Sequence, residues 1–216
     1  MSQEKLGRVL EIGIIFSPCL LTITIFRQLG VENPMWFVVA IWLANVIMLL
    51  LVWIAIRWRG ESWNSIGLTF TRPGIADIGW TVAKSIPIFV FAVAAFVCGS
   101  VIMANIAGTP EGPDMSKYNY LQGNTTMLVI SLIGSYIVAS FGEEVVYRGF
   151  LISRLEELFG LSKSLSLIAA LVLSSIIFGL AHFEWGLTGM VQTTGMGAAL
   201  GISYLLVRRQ LWPLIL

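Results

Sequence analysis

Glu143, Glu144 and Arg148 stand together in a chain whose residues are 57% hydrophobic, and the single histidine, His182, follows in the segment Phe178-Gly-Leu-Ala-His182. A carboxylate can take a proton from water and an imidazole can hold or deliver one, so this set is the minimum for general acid-base hydrolysis. Ionisable groups at bilayer depth are costly unless they are paired or face a polar cavity, which makes them markers of function. At α-helical spacing Glu144 and Arg148 share a face, while Glu143 points about 100° away with Tyr147. The spacing predicts a Glu144 to Arg148 contact that neutralises both charges and leaves Glu143 to act on water or to bind a cation. The plain alternative is a pair of border charges that snorkel to solvent. For His182 the plain alternative is a buried histidine bonded to a neighbour. Phe178 and His182, four apart, stack on one helix face with Glu184 two residues further on, and this favours chemistry.

The elements that must hold these residues are membrane helices. Charged residues make up 12% of the chain, about half of what a soluble domain carries, and the mean hydropathy is +0.86. The net charge of +1 comes without a basic patch, which excludes nucleic acid as the expected partner. Cys19 and Cys98 lie in apolar runs and read as small hydrophobes, with neither disulfide nor zinc spacing. The apolar run after Lys5 and Arg8 lacks a cleavage site and reads as a retained span. Five or six segments meet or approach the ~20 residues that a spanning helix needs. They are 11–29, 35–56, 81–107, 127–147, 165–183 and 187–207. The third contains Pro87, which predicts tilt, a kink or a start beyond the proline. The amphipathic stretch 149–163 is expected along the interface. Lys and Arg gather in the loops that an inside N terminus places in the cytoplasm, with Arg27 and Lys117 opposed, Lys84 snorkelling inward, and the turn-rich loop 108–126 outside.

The expected fold is therefore all-α, a polytopic transmembrane bundle of six to eight helices in one domain over 1–216. Depth constrains it further. With upright helices, Glu143 and His182 would lie up to ~27 Å apart along the membrane normal, so the glutamate helix must run on past Arg148 towards Leu158. Gly197-x-x-x-Gly201, with Gly195 beside it, fits close helix packing. Trp36, Trp58, Trp80 and Trp185 fit interfacial anchoring. Ser174 and Ser175 lack the glycines of a nucleophile elbow.

Glu143-Glu144-x-x-x-Arg148 followed by Phe178-x-x-x-His182 resembles the two signature motifs of the CAAX prenyl protease and bacteriocin-processing family (CPBP, Abi), the glutamate-dependent intramembrane proteases. The resemblance extends over about 62–216, because Trp63-Asn-Ser-Ile-Gly-Leu68 is similar to that family's upstream segment. It implies that Glu143 activates the attacking water with help from His182, and that Glu144 and Arg148 position the site, with Phe178 in support. It also implies a late helix that opens with a pattern like Leu-Trp-Pro and carries a histidine or asparagine. Here Leu211-Trp212-Pro213 is followed only by Leu-Ile-Leu216, so truncation of the last helix is the expectation.

The function expected from residues and resemblance together is an intramembrane endopeptidase acting on a peptide or lipidated peptide, in a bacterial plasma membrane, in contact with membrane lipid and with the N terminus cytoplasmic. No cofactor is expected. Zinc held by Glu143, His182 and a third group is the alternative, although a catalytic zinc normally has three protein ligands. Two other classes compete: a non-catalytic immunity or scaffold protein that binds another membrane protein, and a transporter, which the absence of paired broken helices disfavours.

Overall fold

The computed structural model describes residues 3–29, 34–70, 73–108 and 116–216. Arg72 and the 109–115 run of the expected outside loop lie outside the described residues, as do the side chains of Arg27 and Lys117. The described residues contain helices and no strand. In lipid every backbone N–H and C=O must be satisfied within its own segment, and a helix does this. The helices are α1 (Gln3–Leu29), α2 (Pro34–Trp58), α3 (Ile75–Ala107), α4 (Thr125–Ser135), α5 (Ile152–Phe159), α6 (Lys163–Ala181), α7 (Gly186–Leu206) and the short α8 (Trp212–Ile215). Two π-helical segments, Tyr136–Gly142 and Glu144–Leu151, join α4 to α5.

Among the described residues, five helical stretches are long and apolar enough to cross a membrane: 3–26, 38–58, 75–107, 125–159 and 163–181. The chain is a polytopic all-α membrane protein. Several polar side chains inside the apolar helices bond back to their own helix. Ser17 donates to the Ile14 carbonyl at 2.8 Å, Thr24 to Leu20 at 2.8 Å, Asn45 to Ile41 at 2.9 Å and Asn105 to Val101 at 2.7 Å. Such back-bonding spares each group from facing hydrocarbon.

Two expectations from the sequence change. The third span begins well before Pro87, because α3 runs from Ile75 through the proline. The stretch after Arg148 is not a separate surface piece: helical residues continue from Thr125 to Phe159, and Ile152, Arg154 and Leu155 of α5 are buried. The run past Arg148 that the depth argument required is present.

The residues form two compact units. The first comprises 1–61 and 112–146. In it α1 packs on α2, with Ile15, Ala44, Met48, Val52 and Ile56 at most 1% exposed, and Arg59 closes the pair with an ion pair to Glu11 at 2.6 Å. The end of α4 and the π segment after it lie against α2 through small residues: a Cβ on Gly134 would collide with the Trp42 ring, and Gly142 sits against Leu49.

The second unit comprises 62–111 and 147–216. Here α7 packs on α3 and on α6, and its glycines divide the work. A Cβ on Gly195 would come within 3.1 Å of the Ala95 carbonyl oxygen of α3, while Gly197 and Gly201 face Phe178 and Leu171 of α6. Close backbone approach is what small residues permit in a membrane helix pair. Gln192 adds a 2.7 Å donation to the Ser100 hydroxyl.

Candidate active site

The motif residues sit in an unusual stretch of helix. The Glu143 N–H donates to the Val138 carbonyl, five residues back, and Glu144–Leu151 continues the π pattern. π segments are rare and occur often at functional sites. Their wider turn also changes the geometry. Each N–H now bonds to the carbonyl five residues back instead of four, so the angle per residue between Glu144 and Arg148 is smaller than in an α-helix. Burial still separates the two glutamates: Glu143 is partly exposed, whereas Glu144 is 4% exposed with Oε2 wholly buried.

In the first unit Glu143 lies within electrostatic range of the Cys19 thiol on α1. Sequence reading placed Cys19 among the small hydrophobes, and nothing in its spacing could bring a residue of the first helix to a motif more than a hundred positions later.

In the second unit Arg148, Tyr147 and His182 gather around one ring. The Phe178 side chain, 1% exposed, receives the Arg148 guanidinium over its face at 4.4 Å. Its edge-on partners are Tyr147 at 5.0 Å and His182 at 4.8 Å between ring centroids. Arg148 is itself 2% exposed, with Nη1 and Nη2 buried. A desolvated cation-π contact is worth ~2 kcal/mol or more, so Phe178 is a structural seat for the arginine. Gly197 provides the room, since a Cβ there would stand 3.0 Å from the Phe178 ring. Ser174 ties the two helices by donating to the Tyr147 carbonyl at 3.0 Å, while the Ser175 hydroxyl donates to Leu171 at 2.7 Å. Neither serine is set up as a nucleophile.

His182 closes α6 as its C-terminal cap. Its Nδ1 is 2.8 Å from the Phe178 carbonyl oxygen. A carbonyl only accepts, so Nδ1 carries the hydrogen and the neutral ring keeps its lone pair on Nε2. Trp185, expected as an interfacial anchor, also stands edge-on to the imidazole at 5.0 Å. Phe178 and Trp185 thus both pack on the imidazole ring. Glu184 is exposed in the turn Phe183–Trp185. Among the described residues no three His, Cys, Asp or Glu side chains gather closely enough to hold a metal ion.

The upstream segment has a structural task. Trp63–Ile66 forms a single 3-10 turn ended by Gly67 at φ +89°. Gly67 abuts the Arg209 carbonyl, Gly149 abuts the Ile66 carbonyl, and the Tyr204 hydroxyl donates to that same Ile66 oxygen at 3.1 Å. Leu211 N–H donates to the Gly67 carbonyl at 3.0 Å, and the Trp212 indole to Thr69 at 2.7 Å. The segment thus clamps the residue after Arg148 to the turn between α7 and α8. Leu211-Trp212-Pro213 opens a helical turn, as the pattern implied.

Residues 125–216 match the family model described as Rce1-like, type II CAAX prenyl endopeptidase. This part of the chain is similar to that family. The Rce1-like segment takes in Glu143, Glu144, Arg148, Phe178 and His182, and it begins after the Trp63–Leu68 turn. No curated protein and no solved structure matches the chain.

Proposed function

We propose that the chain is an intramembrane endopeptidase that hydrolyses a peptide bond of a peptide or lipidated peptide. The observation that carries this reading is the Rce1-like match, because one segment encloses both motifs. Glu143 takes a proton from water, and the water oxygen adds to the scissile carbonyl carbon. When the tetrahedral intermediate collapses, the C–N bond breaks and the amine nitrogen receives a proton, which leaves an acid and an amine. His182 is the second proton carrier, working through Nε2. The bond from Nδ1 to the Phe178 carbonyl supports that choice of atom. Glu144 and Arg148 are positioning residues, and Phe178 seats the arginine. The chemistry runs without a metal ion, in a plasma membrane of bacterial type with the N terminus in the cytoplasm.

Membranes carrying the full chain, Glu143→Gln or His182→Gln, incubated with prenylated and unlipidated peptides and with a bacteriocin-type leader, test the reading. The expected result is cleavage of at least one peptide class by the parent chain alone. Folded parent protein that cleaves none of them sinks the protease assignment. Chelators should leave the rate unchanged, and a loss restored by zinc would overturn the metal-free mechanism.

A further inference from the structure

A second cluster of titratable groups lies where α7 ends. Lys84, Leu206, Val207, Arg208 and Gln210 line a cavity of 460 Å³. It contains two cations and no carboxylate. Lys84 and Arg208 are exposed, and neither forms an ion pair among the described residues. A larger cavity of 670 Å³ shares Lys84 and Gln210 and adds the rings of Trp80 and Trp212. Its one acid, Asp77, accepts a hydrogen bond from the Gly74 N–H at 2.9 Å.

The turn that presents Arg208 is held under constraint. Arg208 and Arg209 are consecutive non-glycine residues at φ +58° and +60°, a conformation that persists only where the surroundings impose it and that clusters at functional sites. The surroundings are visible: Arg209 pairs with Glu156 at 2.7 Å, its carbonyl abuts Gly67, and its N–H donates to the Tyr204 carbonyl at 2.8 Å. One arginine of the pair is thus spent on locking the turn, and the other borders the cavity.

Depth identifies the ligand. From Ile86 to Ala107 α3 carries no charge, and that stretch measures roughly 33 Å, close to the ~30 Å hydrocarbon core. Lys84 therefore falls at the border where lipid phosphates lie, with Trp80, 69% exposed, beside it. Leu206, 76% exposed, offers apolar surface to the first methylenes of an acyl chain. A lysine point charge, an arginine fork and an amide donor together match a phosphodiester oxyanion. Basic pockets between membrane helices hold anionic headgroups in this way.

We propose that Lys84, Arg208 and Gln210 form a binding site for the phosphate of an anionic glycerophospholipid, in the leaflet reached by the Ile75 end of α3. The site does not rest on the hydrolytic reading. It is tested on the full chain in phosphatidylcholine nanodiscs titrated with phosphatidylglycerol, with retained lipid counted by native mass spectrometry. The parent chain should retain one phosphatidylglycerol, and the double variant Lys84→Gln, Arg208→Gln, with unchanged circular dichroism, should retain at least tenfold less. Equal retention by the folded double variant overturns the site. A photoactivatable phosphatidylglycerol headgroup on the unaltered chain provides a second test that needs no variant. Crosslinks at 80–84 and 206–212 support the site, and crosslinks confined to other segments overturn it. Millimolar inorganic phosphate should not displace the lipid. If it does so fully, the pocket is a free-anion site and the lipid assignment fails.

Discussion

The Nδ1–H of His182 donates to the carbonyl oxygen of Phe178 at 2.8 Å, one turn back on α6. Through this bond the residue that seats Arg148 also sets the tautomer of the imidazole. Because the chain has one histidine, a 15N-histidine spectrum contains a single ring to assign. It should show a protonated Nδ1 and a lone pair on Nε2. An Nε2–H tautomer would remove the basis for assigning proton transfer to Nε2. His182→Gln, which lacks a titratable group, should lower cleavage by ~10² to 10⁴-fold.

Glu143→Gln and Glu144→Gln should differ, because the side chains differ in burial. Glu143 is partly exposed, so its amide should fold normally, melt close to the parent and fail to cleave. Glu144 is buried, and breaking a buried charged arrangement by altering one member typically costs ~3 to 5 kcal/mol. Its variant should lose thermal stability in detergent along with activity. An active Glu143→Gln beside a folded, dead Glu144→Gln reverses the two roles.

Cys19 supplies a test of the surroundings of Glu143 that needs no change to a motif residue. Cys19→Ala removes one small group and should keep most of the activity. Attaching a bulky methanethiosulfonate group to Cys19 should block cleavage, since the thiol lies within electrostatic range of Glu143. A fully labelled chain with the parent rate would separate Cys19 from the site.

The clamp beneath Arg148 should be intolerant of single methyl groups. A Cβ on Gly149 would stand 2.8 Å from the Ile66 carbonyl oxygen, and overpacking of that kind costs ~1 to 3 kcal/mol. Gly67→Ala combines a collision with the Arg209 carbonyl and a left-handed φ, and the conformation alone adds ~1 to 3 kcal/mol. Gly67→Ala should therefore melt below Gly149→Ala in thermal denaturation. A neutral Gly67→Ala would mean that the turn relaxes freely and does not position the arginine.

The sequence by itself determined the helices and their solvent. Runs of apolar residues near bilayer length leave the backbone no partner but its own helix, so the long helices were legible along with their approximate positions. Motif spacing within α6 was legible too, because Phe178 and His182 lie one α-turn apart, and the structure stacks them at 4.8 Å.

Tertiary structure decided what periodicity cannot encode. The π hydrogen bonding through Glu144–Leu151 is a change of register in an otherwise helical run, and no residue type announces it. Burial, which spacing does not give, distinguishes the two glutamates. Contacts at long sequence separation were equally hidden. Gly149 on Ile66, Gly67 on Arg209 and the electrostatic influence of Glu143 at Cys19 each depend on which helices become neighbours. That choice follows from side-chain packing over whole interfaces, where a glycine is read only by the atom that fills the space it leaves.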